Sequence, residues 1–228
     1  MAEVKWNITD KRFVAFFDIL GFKDLVANNT HKAVLEKLDS LKKTILRFEN
    51  LGEEKRLEAY KLDKNQSKSV TFSDSIIFFS KGETFKDLVK ILLDSYGTIK
   101  FAIEKGLAIK GGISFGEITV DFEQSLFFGQ PIIDAYLLHE ELQMITAIMD
   151  NNFEVKLKTF DTDTLITNMI IDYKANLKSG RITHKLMKPF RKNIPTRIQS
   201  LTKLYDLTSG RPRLYIDNTI EFLKSIPE

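Results

Sequence analysis

Two carboxylates stand out for where they fall in the chain. Asp18 ends the apolar run 13–17 (FVAFF), which is long enough for a strand buried on both faces. Behind it come Ile19-Leu20-Gly21 and an amphipathic helix start, Phe22-Lys23-Asp24-Leu25-Val26. Asp74 interrupts a second strand-like run, 70–79 (VTFSDSIIFF), where Ser73-Asp74-Ser75 reads as a hairpin tip. Aspartates at the ends of adjacent strands form a site for one or two hard divalent cations, which take carboxylate oxygens. The helix start behind Asp18 adds backbone donors for an anion beside the cation. Alone, each aspartate is equally a turn residue or a helix cap. The pair, each member flanked by aromatic strand, is what points to a site.

The elements that must carry these residues follow from periodicity. Thr30 is placed to cap a helix to about residue 50, with Val34, Leu35, Leu38, Leu41 and Ile45 on one face. The polar stretch 63–69 reads as a loop before the Asp74 hairpin. Thr84 caps a helix over 85–105, and Gly106 ends it. Residues 107–115 read as a strand through Gly111-Gly112, a pair that admits a ligand or a neighbouring strand equally well. Short strands at 117–120 and 125–128 lead to a helix over 132–142 that begins near Pro131. Segments 144–149, 154–160 and 165–173 are read as strands, and 178–180 as a turn. This order predicts an α+β fold, a ferredoxin-like mixed sheet with helices mainly on one side. Residues 1–180 make the main domain. Residues 181–228 make a basic helical C-terminal extension packed on it, with helices at 196–207 and 212–226.

Composition narrows the function classes. The 228 residues contain no cysteine, which excludes disulfides, thiolate metal sites and a cysteine nucleophile. The 34 basic and 31 acidic side chains leave a net charge of +3, too small for a dedicated nucleic-acid binder. The basic residues concentrate late, at Arg181, Lys185, Lys188, Arg191, Lys192, Arg197, Lys203, Arg211 and Arg213. That segment is either a solvated face or a rim that meets phosphates or a partner. No apolar run suggests a signal peptide or a membrane span, so a cytoplasmic protein is expected. The three histidines, His31, His139 and His184, lack metal-ligand spacing, and only His139 falls near the expected site.

Four segments in order resemble the catalytic domain of class III nucleotidyl cyclases, over about residues 12–145. FFDILGF (16–22) is similar to the first metal-aspartate motif and FSDSIIFF (72–79) to the hairpin with the second. KGGISFGEI (110–118) resembles the central strand. FFGQPIIDAYLLHE (127–140) resembles the segment entering the helix that bears transition-state residues. The spellings Ser-Asp-Ser and Ala-Tyr are closer to the bacterial anti-phage pyrimidine cyclases of the Pycsar type. The family's Asn and Arg, four and eight residues after the glycine matched by Gly129, are Ile133 and Leu137 here. A one-residue register shift brings Asp134 into the Asn place. The purine-reading Lys and Asp of adenylate cyclases fall on Val70 and Leu126.

The resemblance implies two Mg²⁺ or Mn²⁺ ions per site, held by Asp18, Asp74 and the carbonyl of Ile19. Ser73 and the loop Ile19, Leu20, Gly21 and Phe22 would bind the nucleoside triphosphate, and Lys110, Lys156 or Lys158 would substitute for the missing Arg. The implied product is cyclic UMP or cyclic CMP with pyrophosphate, a messenger in phage defence read by a separate effector. It also implies a homodimer with composite sites and no nucleic-acid or membrane partner. Two other readings stay open: a cyclase-like nucleotide-binding module that has lost turnover, and a palm-type oligonucleotide synthase.

Overall fold

A computed structural model describes residues 6–49, 62, 65–162, 164–190, 193–207, 210 and 212–226. Of the stretch 63–69, expected as a loop, Ser67, Lys68 and Ser69 instead begin a strand, and Asp63, Lys64, Arg191, Lys192 and Arg211 lie outside the described residues. The first strand, β1 (Thr9–Ile19), is the buried centre. Phe13, Val14, Ala15 and Phe17 are all at 0% exposure, so both strand faces are covered, as a continuous apolar run requires. Gly21, left-handed at φ 71, turns the chain into α1 (Phe22–Ala27). Then comes α2 (His31–Glu49), where the Thr30 hydroxyl accepts from the Ala33 N–H at 3.3 Å.

A two-residue turn joins β2 (Ser67–Phe72) to β3 (Ser75–Ser80), with Ser73 at φ 55. Helix α3 (Phe85–Glu104) opens with a capping box between Thr84 and Asp87, and left-handed Gly106 follows its end. Strand β4 (Ile109–Asp121) completes a βαββαβ unit whose spatial order is β2-β3-β1-β4. That is the ferredoxin-like order expected from the sequence. Helices α2 and α3 pack on each other and bury Leu41, Ile45, Leu88, Leu92 and Ile99 in one core with Phe17 and Phe78.

Strand β5 (Leu126–Phe128) folds back on β4 and leads to α4 (Gln130–Glu141), which lies across β4 and β1 on the opposite face. The remaining elements are β6 (Ala147–Met149), α5 (Asn151–Leu157), α6 (Thr164–Met169), β7 (Ile170–Leu177), β8 (Gly180–Met187), α7 (Ile194–Thr202) and α8 (Pro212–Ser225). A 3₁₀ turn over Lys203–Leu207 links the last two helices. The full sheet runs β2-β3-β1-β4-β6-β8-β7. Among the described residues, no helix is long and apolar enough to cross a membrane.

Three expectations are corrected beyond β4. The segment 154–160 is not a strand. The Asp150 carboxylate accepts from the Phe153 N–H at 2.7 Å and caps α5, whose Phe153 and Leu157 are both buried at helical spacing. The segment 165–173 begins as α6, with Ile166 and Met169 buried three apart, and turns to strand only at Ile170. Residues 181–187, expected in a helical extension, form β8, paired along its whole length with β7 and touching β6 at Leu186. The sheet therefore runs through position 180.

The C-terminal helices share the core as well. Thr219 on α8 accepts from the Ile145 N–H at 2.8 Å, and Asn218 donates to the Gln143 carbonyl at 2.8 Å. Phe222 packs with Leu142, Ile148 and Leu186. Because residues 143–145 precede β6, which runs parallel to β4, α8 closes the end of the sheet where β1 finishes. The late basic residues are spread among separate ion pairs: Arg181 with Glu221 at 3.5 Å, Lys185 with Asp172 at 2.8 Å and Arg197 with Glu104 at 2.9 Å.

Candidate active site

Antiparallel pairing of β1 with β3 sets Asp18 opposite Ser75, directly beside the hairpin tip. The Ile19 N–H donates to the Asp74 carbonyl at 3.2 Å and pins that tip to the end of β1. The two aspartate side chains are near enough to act on each other's charge. Burial raises the Asp18 carboxyl from 3.8 to about 6, the Asp74 charge and hydrogen bond add to this, and Lys110 opposes it. Two neighbouring carboxylates of this kind form a donor set whose repulsion a hard divalent cation would relieve. Among the described residues, no cluster of three or more metal-ligating side chains is present. The pair would therefore need main-chain oxygen, water or substrate to complete a coordination shell.

The loop behind Asp18 is partly committed to the fold. Leu20 gives its N–H to the Ala108 carbonyl at 2.9 Å, and the Gly21 carbonyl accepts from Leu25. With the Ile19 N–H also taken, the backbone donors left to meet an anion are those of Gly21 and Phe22. A cavity of about 430 Å³ adjoins this loop, between Ile19, Gly21, Asp24, Leu107 and the C-terminal residues Leu204 and Pro212. A second of about 250 Å³ lies behind Asp74, against Leu35 and Leu38 of α2.

Other predicted residues separate into near and far. Lys110 is opposite Asp18 in the β1–β4 register and only 3% exposed. Its ammonium donates to the carbonyls of Glu140 and Leu142, at 3.4 and 3.3 Å, at the end of α4. Asp134 lies more than a turn earlier in α4, bonded to Gln130 at 2.8 Å and close in charge to Asp150, so one chain does not bring it to Asp18. Lys156 pairs with Glu83 at 2.7 Å, beyond the far end of β3, which removes it as a substitute for the family's Arg; Lys158 follows it on the same segment.

The double glycine serves packing. A Cβ at Gly112 would stand 2.1 Å from the Ala135 carbonyl oxygen, and one at Gly111 would stand 2.4 Å from the Phe17 ring. Helix α4 thus rests directly on Gly112, and the close approach is by a helix.

An aromatic group that includes His139, the histidine expected near the site, completes the surroundings. Phe16, Tyr136 and His139 form an aromatic group with centroids about 5 Å apart, on the Asp18 face of β1. His139 Nδ1 bonds the Tyr136 carbonyl at 2.5 Å, while Nε2 is buried without a hydrogen bond. Burial lowers this imidazole from 6.5 to about 4. Glu140 reaches Asp18 electrostatically and pairs with Lys178 at 3.1 Å. Helical spacing from the buried Ala135 to His139 was the available signal for this end of α4. Large apolar side chains stay exposed on three elements: Phe72 of β2 at 81%, Leu126 and Phe128 of β5, and Ile133, Tyr136 and Leu137 of α4.

The sequence matches no protein-family model, and no curated protein matches it significantly. Solved structures share the fold. A bacterial light-regulated adenylyl cyclase superposes with a TM-score of 0.50 at 13% identity, over 86% of this chain and 98% of that one. A second structure of such a cyclase gives 0.53 at 13% identity, over 93% of this chain and 59% of that one. The catalytic core of a rhodopsin-guanylyl cyclase with converted specificity, in complex with ATPαS, gives 0.52 at 13% identity, over 78% and 94%. The fold is that of class III nucleotidyl cyclase catalytic domains: an open mixed sheet with flanking helices.

Proposed function

We propose that the protein is a metal-dependent nucleotidyl cyclase that converts a nucleoside triphosphate to a 3′,5′-cyclic mononucleotide and pyrophosphate. The observation that carries this is the placement of Asp18 beside Asp74 at adjacent strand ends, where the Ile19 N–H holds the Asp74 carbonyl. In the reaction the ribose 3′ oxygen bonds to the α-phosphorus, the bond from that phosphorus to the β-phosphate oxygen breaks, and the 3′ proton is lost. Bound Mg²⁺ or Mn²⁺, two ions per site, would lower the pKa of the 3′ hydroxyl and neutralise charge on the leaving pyrophosphate. Asp18 and Asp74 would hold the ions, with the Ile19 carbonyl as a further ligand. The N–H groups of Gly21 and Phe22 would bind phosphate oxygens, and Ser73 would flank the hairpin side.

Val70, half-buried beside Ile77, and the exposed Leu126 present no hydrogen-bonding groups for a purine edge. Polar readout discriminates bases far more strongly than apolar contact, which supports a pyrimidine triphosphate as substrate. On the resemblance to Pycsar cyclases, the product serves as a messenger in phage defence and is read by a separate effector. The working unit is a homodimer with composite sites, supported by the exposed apolar face of α4 and β5. Asp134 would then act on the partner's substrate.

A second reading is a nucleotide-binding module without turnover. Exposed Ile133 and Leu137 on α4, where the family carries Asn and Arg, favour it. Incubation with each of the four NTPs and Mn²⁺, followed by mass analysis, separates the readings. Cyclic UMP or CMP is expected, and it should vanish in Asp18→Asn and Asp74→Asn. An oligomer would indicate the palm-type synthase. Nucleotide binding without product would indicate the module. Full activity in both variants would overturn the metal assignment.

A further inference from the structure

Lys110 is one of the few lysines in the chain that is almost fully buried. Its antiparallel register partner is Asp18, and such cross-strand partners hold their Cβ atoms about 4.5–5.5 Å apart on one sheet face. The ammonium is steered by the Glu140 and Leu142 carbonyls and by the Tyr215 ring of α8, whose centroid is 5.5 Å away. These are neutral groups. They orient a cation at the negative end of α4 without cancelling its charge. The Glu140 carboxylate, bonded to Lys178 at 3.1 Å, also feels the Lys110 charge.

We propose that Lys110 is the internal counter-ion of the Asp18–Asp74 pair, a resident cation that a divalent ion must compete with, and is not a phosphate ligand. The inference rests on the reading of that pair as a metal site. The direction in which Lys110 acts on the Asp18 carboxyl agrees with it. Two consequences follow from Coulomb's law. The charge holds the empty pair together, and it weakens the pair's hold on a metal. A unit charge about 7 Å from a dication, at a dielectric between protein and water, changes affinity about ten-fold. Because Tyr215 lies on the same ammonium, the C-terminal helix α8 is tied to the site through this charge.

The test is Mn²⁺ binding to the full-length protein without nucleotide, read by electron paramagnetic resonance of free Mn²⁺. Lys110→Gln removes the charge but keeps a donor for the α4 carbonyls, and Lys110→Met removes both. Lys110→Arg keeps the charge. Circular dichroism melts establish which variants fold, and either neutral variant suffices. Mn²⁺ should bind about ten-fold tighter to the neutral variants than to wild type. Lys110→Arg should bind like wild type. Unchanged or weaker Mn²⁺ binding in a folded neutral variant would overturn the counter-ion role while leaving the metal site in place. Loss of triphosphate affinity with Mn²⁺ affinity unchanged would instead make Lys110 a phosphate ligand. Failure of wild type and all variants to bind Mn²⁺ would overturn the metal reading, and this inference with it.

Discussion

His139 and Asp18 lie on the same face of the sheet, and their titrations should drive stability in opposite directions over the same pH range. His139 is lowered from 6.5 to about 4 because its imidazole is buried between Phe16 and Tyr136. In the unfolded chain it takes up a proton near 6.5, while in the fold it resists until about 4. Its contribution is therefore complete above pH 6.5 and is lost as pH falls toward 4. At about 1.4 kcal/mol per pH unit the full loss is about 3 kcal/mol. Asp18 is raised from 3.8 to about 6, so the fold holds its proton more tightly than the unfolded chain does. Acidification from neutral pH through this window restores stability, by up to about 3 kcal/mol before partial exposure trims it.

The two effects nearly cancel in the wild type, so the substitutions should reveal them. His139→Phe keeps a ring against Phe16 and removes the titration. Urea midpoints without divalent ions, taken at neutral pH and at about pH 4.5, provide the assay. Relative to wild type, His139→Phe should gain about 2–3 kcal/mol on acidification, and Asp18→Asn should lose a similar amount. Each variant is compared with wild type at the same pH, so the other carboxylates drop out of the difference. A His139→Phe protein whose pH dependence parallels wild type would show that the imidazole titrates normally. The argument from burial would then be wrong.

Two further predictions concern packing. Gly112→Ala would drive a methyl into the Ala135 carbonyl, so α4 must lift from β4. A loss of about 3 kcal/mol is expected in thermal or urea unfolding, and a wild-type midpoint would refute the contact. Asp94→Ala would strand the buried Lys90 ammonium, which is bonded to Asp94 at 2.5 Å and to Ser67 at 3.0 Å; a loss of about 3–5 kcal/mol is expected by the same measurement, and a change below about 1 kcal/mol would show that the ion pair is not buried as described.

How far the sequence was readable depended on whether a signal was local. The run 13–17, the Ser73-Asp74 turn, the Thr84 cap and Gly106 are each encoded within a few residues, and each was found where expected. Asp150 is an equally local cap, but the Phe153, Val155 and Leu157 alternation beside it mimicked a strand. β8 was missed for a different reason. Its residues 180–187 (GRITHKLM) are mostly polar because much of the strand is exposed, and only Leu186 and Met187 are buried. The pair Asp18 and Asp74 was readable because hairpin and strand ends announce themselves. The destination of Lys110 was not, since it depends on where α4 ends, and the double glycine that seats α4 reads the same whether a ligand or a helix lies on it.

β1 carries a buried Arg12 toward one end and a partly buried Asp18 toward the other, and the contrast between them separates structure from site. Arg12 is at 0% exposure, and its guanidinium is surrounded by the carbonyls of Asn7, Ser80 and Lys81 and by the Trp6 ring. Asp87, which favours that charge, is itself held by Gln66, Gly82 and Thr84. That cluster sets opposite charges together and fills most of its hydrogen bonds from within, leaving Arg12 Nε and Gln66 Oε1 buried without one. At the other end a carboxylate faces a second carboxylate, only partly buried, with its pKa raised by burial first and by the neighbouring charge second. A fold has no structural use for two like charges in contact at a strand end, because replacing either with a neutral residue would relieve it. Strand chemistry that is unfavourable as structure, placed beside open backbone donors and an exposed apolar face, is accounted for when a cation and an anionic substrate are what it meets.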